Sequence, residues 1–419
     1  MQMIQTRRLL LLAASWMVAV PARALHRKAH KKARIPAPAA SSAQGDNGTQ
    51  DADSNASPAN TLLGPLDTVA RWAIVVDYNT GATLLDKNAD EEMTPSSLTK
   101  LMTAYLVFSA LKAGRLALGQ QLPVSERAWR MQGSKMFVAL GSTVSVEDLI
   151  RGMIIQSGND ACIVLAEGVA GSEEAFVVQM NQMARQLGLT HSVFQNCDGW
   201  PLPGHHMSVR DIATLATRLI RDFPQYYHYF DEKSFTYNNI HQDNRNPLVD
   251  AGTADGLKTG HTEDGGYGLC ASAERGGRRV ILVLNGMGTN KQRSTEGERI
   301  LDWAFANFED AQMVKKGQVI DRAQVWLGTV PDVPLVAARD LVLTMPVNWR
   351  DHARIEANFA SPLNAPLQAG TKVGSVNFTF PGFNMLPQQV DLLVGESIPE
   401  QGVLDRAMTV LRLRLGRKS

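Results

Sequence analysis

Three short strings in this chain carry side chains able to act on one another, and they occur in a fixed order. Ser97-Leu98-Thr99-Lys100 sets a hydroxyl and an amine three residues apart, so in a helical turn both project from one face. A serine hydroxyl is a weak nucleophile until a base takes its proton. A lysine serves as that base only when burial or nearby positive charge lowers its pKa. Ser157-Gly158-Asn159 offers a second hydroxyl, able to relay a proton, and an amide, able to hydrogen-bond a substrate amide. Lys258-Thr259-Gly260 adds a second amine, a hydroxyl, and a glycine that lets another backbone approach closely. On a sheet edge, that trio suits a substrate that lies alongside the strand and carries a carboxylate.

Each string alone has a plainer reading. Ser97 could cap a helix with Lys100 in solvent, and Ser157 stands at capping-box spacing from Asp160. What raises them is company, and the elements expected to carry them. Leu98, Leu101, Met102, Tyr105 and Phe108 recur at helical spacing, predicting an amphipathic helix that starts at Ser97. Further helices are predicted over Val146 to Gln156 and Asp160 to Val169, which leaves Ser157-Gly158-Asn159 between them. Trp72 to Asp77 and Ala82 to Asp86 read as a β-hairpin. Gly266 to Glu274 and Val280 to Asn285 read as a second hairpin, turning at Gly276-Gly277 just after Lys258-Thr259-Gly260. Glu296 to Phe308 reads as a closing helix. The expected fold class is therefore α+β, an antiparallel sheet plus a helical cluster. After Val314-Lys315-Lys316-Gly317 come short β runs (Gln324 to Leu327, Leu341 to Met345, Arg354 to Phe359, Val373 to Phe380, Val390 to Val394), a small all-β domain.

S-x-x-K, S-x-N and K-T-G in this order form the set shared by penicillin-binding proteins and class A β-lactamases. The longer strings PSSLTKLMT (Pro95 to Thr103), SGNDAC (Ser157 to Cys162) and DGLKTGHT (Asp255 to Thr262) resemble the low-molecular-mass D-Ala-D-Ala carboxypeptidases. The resemblance spans roughly Thr68 to Phe308, and the β-rich tail resembles that family's second domain. It implies a penicillin-binding/β-lactamase-like domain and a serine-type carboxypeptidase, needing no cofactor or metal. Such an enzyme removes the terminal D-Ala from peptidoglycan stem peptides and is inhibited covalently by β-lactams. It further implies Ser97 as nucleophile, Lys100 as base, and an oxyanion hole from the backbone N–H groups of Ser97 and His261. Ser157 and Lys258 would pass the proton to the leaving amine, and Asn159 would orient the acyl chain. Thr259, Gly260 and Arg293 would bind substrate, Arg293 because a guanidinium fork suits a terminal carboxylate. Cys162 reads as a packing thiol near the site.

Three rivals share parts of this pattern: a D,D-endopeptidase or transpeptidase, a β-lactamase, and a non-catalytic wall-binding protein. Against the β-lactamase, no E-x-x-L-N stretch lies between Asn159 and Lys258 to activate a deacylating water.

The two terminal segments carry the expectation about location. Arg7-Arg8, the apolar run Leu9 to Val20, and Ala22-Arg23-Ala24 read as a signal peptide over residues 1–24. Losing Arg7, Arg8 and Arg23, and no acids, takes the formal charge from +1 to −2, which gives no support for nucleic acid as a partner. Residues 25–66 are basic at first, then Pro/Ala/Ser/Asn-rich, and read as a disordered linker. The carboxypeptidase domain is then expected over 67–312 and the β domain over 313–396. Residues 397–419 read as an amphipathic, basic helix able to hold the exported protein on the outer face of the inner membrane, in the periplasm. Cys162, Cys197 and Cys270 form neither a disulfide framework nor a zinc-ligand spacing.

Overall fold

The computed structural model describes residues 3–8 and 57–416, so most of the leader and most of the linker lie outside the described residues. Five strands with mostly apolar interiors form the first sheet: β1 (Trp72–Asp77), β2 (Thr83–Lys87), β3 (Gly256–Thr262), β4 (Gly266–Arg275) and β5 (Arg278–Met287). With the short strand Asn60–Thr61 the order is Asn60–Thr61, β2, β1, β5, β4, β3, antiparallel throughout. Gly276 and Gly277, at φ +60° and +81°, turn β4 into β5 as a two-residue hairpin loop requires. The string Lys258-Thr259-Gly260 lies within β3 itself, at the free edge of the sheet.

Side chains alternate between the faces of this sheet. Ala73 and Val75 pack with Ile300, Leu301 and Ala304 of the closing helix. Trp72 and Ile74 face the helical cluster, with Leu101, Tyr105 and Phe108. That cluster contains α1 (Lys100–Lys112), α2 (Val146–Ile154), α3 (Asn159–Ala170), α4 (Glu173–Leu187) and α5 (Val209–Asp222), and α6 (Asn290–Asn307) closes the other face.

Several details differ from expectation. α1 is buried on nearly all sides from Lys100 to Leu111, so it is the central helix rather than an amphipathic surface one. A 3₁₀ turn, Ser96–Thr99, precedes it and holds the first serine. α6 begins at Asn290 because Thr289 and Gln292 form a capping box, which takes Arg293 into its first turn. α4 and α5, unassigned from sequence, are capped by Ser172 and Ser208. Ordered structure already begins inside the stretch read as a disordered linker over 25–66: Asn60–Thr61 pairs with β2, and Ala59, fully buried, bridges to Leu66.

The β-rich part of the chain follows α6 directly at Phe308. Its strands are β6 (Phe308–Val314), β7 (Val319–Trp326), β8 (Asp332–Ala337), β9 (Leu341–Pro346), β10 (Arg354–Ser361), β11 (Lys372–Thr379) and β12 (Gln388–Val394), with β6 and β9 forming a two-stranded sheet of their own. β6 pairs with β9, while β10, β11, β12, β8 and β7 run in that order around a core that includes Phe359, Val376, Phe378 and Leu392. Met3–Arg8, from the stretch read as a leader, pairs along β10. A final helix, α7 (Val403–Gly416), ends the described chain.

Candidate active site

Three elements converge on one cleft: the 3₁₀ turn leading into α1, the junction of α2 and α3, and the edge strand β3. Lys100 Nζ, 1% exposed, has three oxygen neighbours, Ser97 Oγ at 2.8 Å, Asn159 Oδ1 at 2.7 Å and the Asp198 carbonyl at 2.6 Å. Three acceptors match the three hydrogens of a lysine head group, so its position is fully determined. Ser97 makes no helix-capping bond, which removes the plainer reading of that string.

The second string also does something other than cap. Ser157 takes a positive φ of 60°, and its Oγ accepts from Lys258 Nζ at 2.9 Å. Gly158 is the N-cap of α3, without a side-chain bond. Asp160 instead turns its carboxylate onto the backbone N–H groups of Met136, Phe137 and Val138, fixing the loop over the cleft. Asn159 Nδ2 donates to the carbonyl of Gln132 in the same loop, so its Oδ1 is the atom turned to Lys100.

Lys258 is 2% exposed, and its pKa falls well below 10.5, first through burial and then through the positive charges of Lys100, Arg245 and Arg293. Of the two amines it is the one that donates to Ser157 and to the Thr259 carbonyl (3.2 Å). Cys162 packs one turn into α3, with burial pushing its thiol up to about 12, an inert state for a nucleophile. All three cysteines are free and buried.

A cavity of about 300 Å³ joins these groups, lined by Ser97, Ser157, Thr259, Gly260, His261 and Arg293 among others. Gly260 lets β3 lie close to the turn before α1, since a Cβ would stand 3.1 Å from the Pro95 carbonyl oxygen and from Ser96 Cβ and push them back by a few tenths of an ångström. His261 packs on Tyr267 across the β3–β4 pair, with ring centroids 4.0 Å apart and planes tilted by 35°. Arg293 lies over the Tyr267 ring at 5.5 Å and donates to Asn290 Oδ1 at 2.7 Å, while its Nε is buried with no partner among the described residues. Burial lowers its pKa to about 10, so it is a cation at neutral pH.

Sequence reasoning misses Ser134, Arg245, Tyr267 and Asn290 in this lining, and Asp198 beneath it. Arg245 carries no sequence signal. Asn244 and Asn246 hold its loop, through bonds to the Phe230 and Gly256 carbonyls.

The chain matches the family model described as D-alanyl-D-alanine carboxypeptidase over residues 58–289. It belongs to that family. Residues 308–400 match a second model, the C-terminal domain of penicillin-binding protein 5. The chain is 40% identical over 354 residues to D-alanyl-D-alanine carboxypeptidase DacC of Escherichia coli (strain K12), covering 82% of this chain and 88% of the relative. Among solved structures it is similar to penicillin binding protein 5 from Haemophilus influenzae (38% identity, TM-score 0.67, covering 80% and 99% of the two chains). It is also similar to the carboxypeptidase DacD from Francisella tularensis (28% identity, TM-score 0.72, covering 85% and 99%). The protein is thus a serine D-Ala-D-Ala carboxypeptidase, a hydrolase with a cell-wall function. Its fold is that of the penicillin-binding proteins, with an all-β domain after it.

Proposed function

We propose that Ser97 attacks the penultimate carbonyl of a peptidoglycan stem peptide ending in D-Ala-D-Ala. The observation that carries this reading is the 2.8 Å contact between Ser97 Oγ and Lys100 Nζ at the mouth of a cleft also reached by Ser157. Acting as the neutral amine, Lys100 takes the Ser97 proton as the C–O bond forms. The oxyanion sits between the N–H groups of Ser97 and His261, donors worth roughly 3–4 kcal/mol each when preorganised. As the C–N bond breaks, Ser157 gives its proton to the leaving D-alanine nitrogen and is resupplied through Lys258. The low pKa of Lys258 suits exchange near neutral pH. Asn159 orients the acyl chain, while Thr259, Arg245 and Arg293 hold the terminal carboxylate. Water then hydrolyses the acyl-enzyme, and β-lactams acylate the same hydroxyl.

Incubation with a pentapeptide stem tests this reading: stoichiometric free D-alanine is expected. Cleavage of cross-linked dimers without D-alanine release would point to an endopeptidase instead.

The protein acts outside the cytoplasm, in this reading, and rests on the membrane surface through α7. Among the described residues no helix is long and apolar enough to cross a membrane. Yet Val403, Leu404, Met408 and Leu411 are 84%, 83%, 51% and 51% exposed, a set of apolar side chains left off the protein body. With the arginines of the same segment they suit an interfacial helix. Deleting residues 399–419 should release the protein from membranes; retention would place the anchor elsewhere.

A further inference from the structure

His205 belongs to none of the three strings, yet its ring reaches the first of them. It is 7% exposed, with both ring nitrogens engaged. Nδ1 lies 3.3 Å from the backbone nitrogen of Gln195, and Nε2 lies 2.9 Å from Thr99 Oγ1. A backbone N–H only donates, so Nδ1 holds the lone pair and Nε2 the hydrogen. The neutral imidazole therefore donates to Thr99. Burial favours that form too, lowering the pKa to about 4. Phe194 meets the ring edge-on at 5.9 Å between centroids.

Thr99 sits between Ser97 and Lys100. Gln195 opens the loop that His205 closes, and this loop meets the reactive turn at two more points. Asp198 gives Lys100 its carbonyl at 2.6 Å. Gly199, at φ +85°, packs so tightly on the Ser96 carbonyl that a Cβ would stand 1.8 Å from that oxygen. The loop's base is fixed elsewhere, by Glu173 accepting the Cys197 N–H and by Thr103 donating to the Cys197 carbonyl.

We infer that His205 is a positioning residue for acylation: bonded to Gln195 and Thr99, it locks the Ser97–Lys100 turn against the loop that supplies an acceptor to Lys100. This rests on Ser97 and Lys100 carrying the acylation step. Displacements of about 1 Å in such pairs cost on the order of 10²-fold in rate, so a lost strut has a measurable effect.

The test uses the full chain and the second-order rate of acylation by a fluorescent penicillin, beside the affinity for a carboxylate-bearing peptide product. His205→Leu should acylate roughly 10- to 100-fold more slowly, with product affinity changed by less than about threefold. His205→Gln should stay within about threefold of wild type, because its amide donates to Thr99 while its carbonyl accepts from Gln195. Thr99→Val should lose about as much as His205→Leu, and the double variant no more than either alone. If His205→Leu does not fold, Thr99→Val, which exchanges the hydroxyl for a methyl of similar size, carries the test. Acylation within twofold of wild type in a folded His205→Leu or Thr99→Val, or equal loss in His205→Gln and His205→Leu, would overturn the inference. Failure of the underlying reading is separate: it would appear as labelling that persists in Ser97→Ala.

Discussion

The two halves of this chain bury polar groups on different terms. In the β domain, residues 308–400, the buried polar side chains are the hydroxyls of Thr344, Ser361 and Ser375, with no charged group among them. In the carboxypeptidase half, Lys100, Asp160, Asp198, Lys258 and Arg293 are all buried within or behind one cleft. Asp160 is matched by backbone N–H groups, but Asp198 Oδ2 and Arg293 Nε have no partner among the described residues. A buried charge costs several kcal/mol unless it is well paired, so the first half gives up stability where the second does not. The contrast teaches that chemistry and stability should come apart under mutation in the cleft and stay apart from the β domain.

Loss of the nucleophile apart, the largest effect expected is at Lys258. Lys258→Met should lower D-alanine release roughly 10²–10⁴-fold, the usual worth of a proton-transfer group. Because it replaces a buried amine by apolar atoms of similar length, its Tm should hold or rise. A fall in Tm with activity retained would break the contrast between the halves.

Next is His205, whose pKa drops from 6.5 to about 4 on folding. The unfolded chain binds this proton first, so the stability tied to the neutral ring is complete above about pH 6.5 and is lost as pH falls toward 4. The loss amounts to about 3 kcal/mol. Urea midpoints from pH 7 to pH 4 should fall more steeply in wild type than in His205→Gln; parallel curves would contradict the neutral, buried ring.

Arg293→Ala removes a cation from the pocket, worth about 1.5–3 kcal/mol per hydrogen bond to a charged group. That corresponds to roughly 10- to 150-fold in kcat/KM for a peptide with a free C-terminus. Much less should be lost with a C-terminally amidated analogue. The smallest expected effect is from Phe378→Ala in the β-domain core. It should destabilise that domain by about 3–5 kcal/mol, while penicillin acylation in the cold changes less than about twofold. A larger change would mean that the β domain shapes the cleft.

Much of this division is legible in the amino-acid sequence. Ser97, Lys100, Ser157, Asn159 and Lys258 are readable because their chemistry sits in short strings, and those strings share one cleft. The β domain is readable from its punctuated runs, although β6, β7 and β8 blur into a stretch of mixed polarity. Asp198 and His205 are not legible, because each reaches its target through a fold contact about 100 residues away in sequence, and Arg245 stands in no recognisable string. α1 misleads for a related reason: its apolar stripe is real, but partners on the other sides bury the rest.

The most direct measurement is fluorescent-penicillin labelling of the full chain and of Ser97→Ala, with D-alanine release followed in the same samples. Wild type should be labelled once per chain and release D-alanine, and Ser97→Ala should do neither while keeping its Tm. Covalent labelling that survives in Ser97→Ala would contradict Ser97 as the nucleophile.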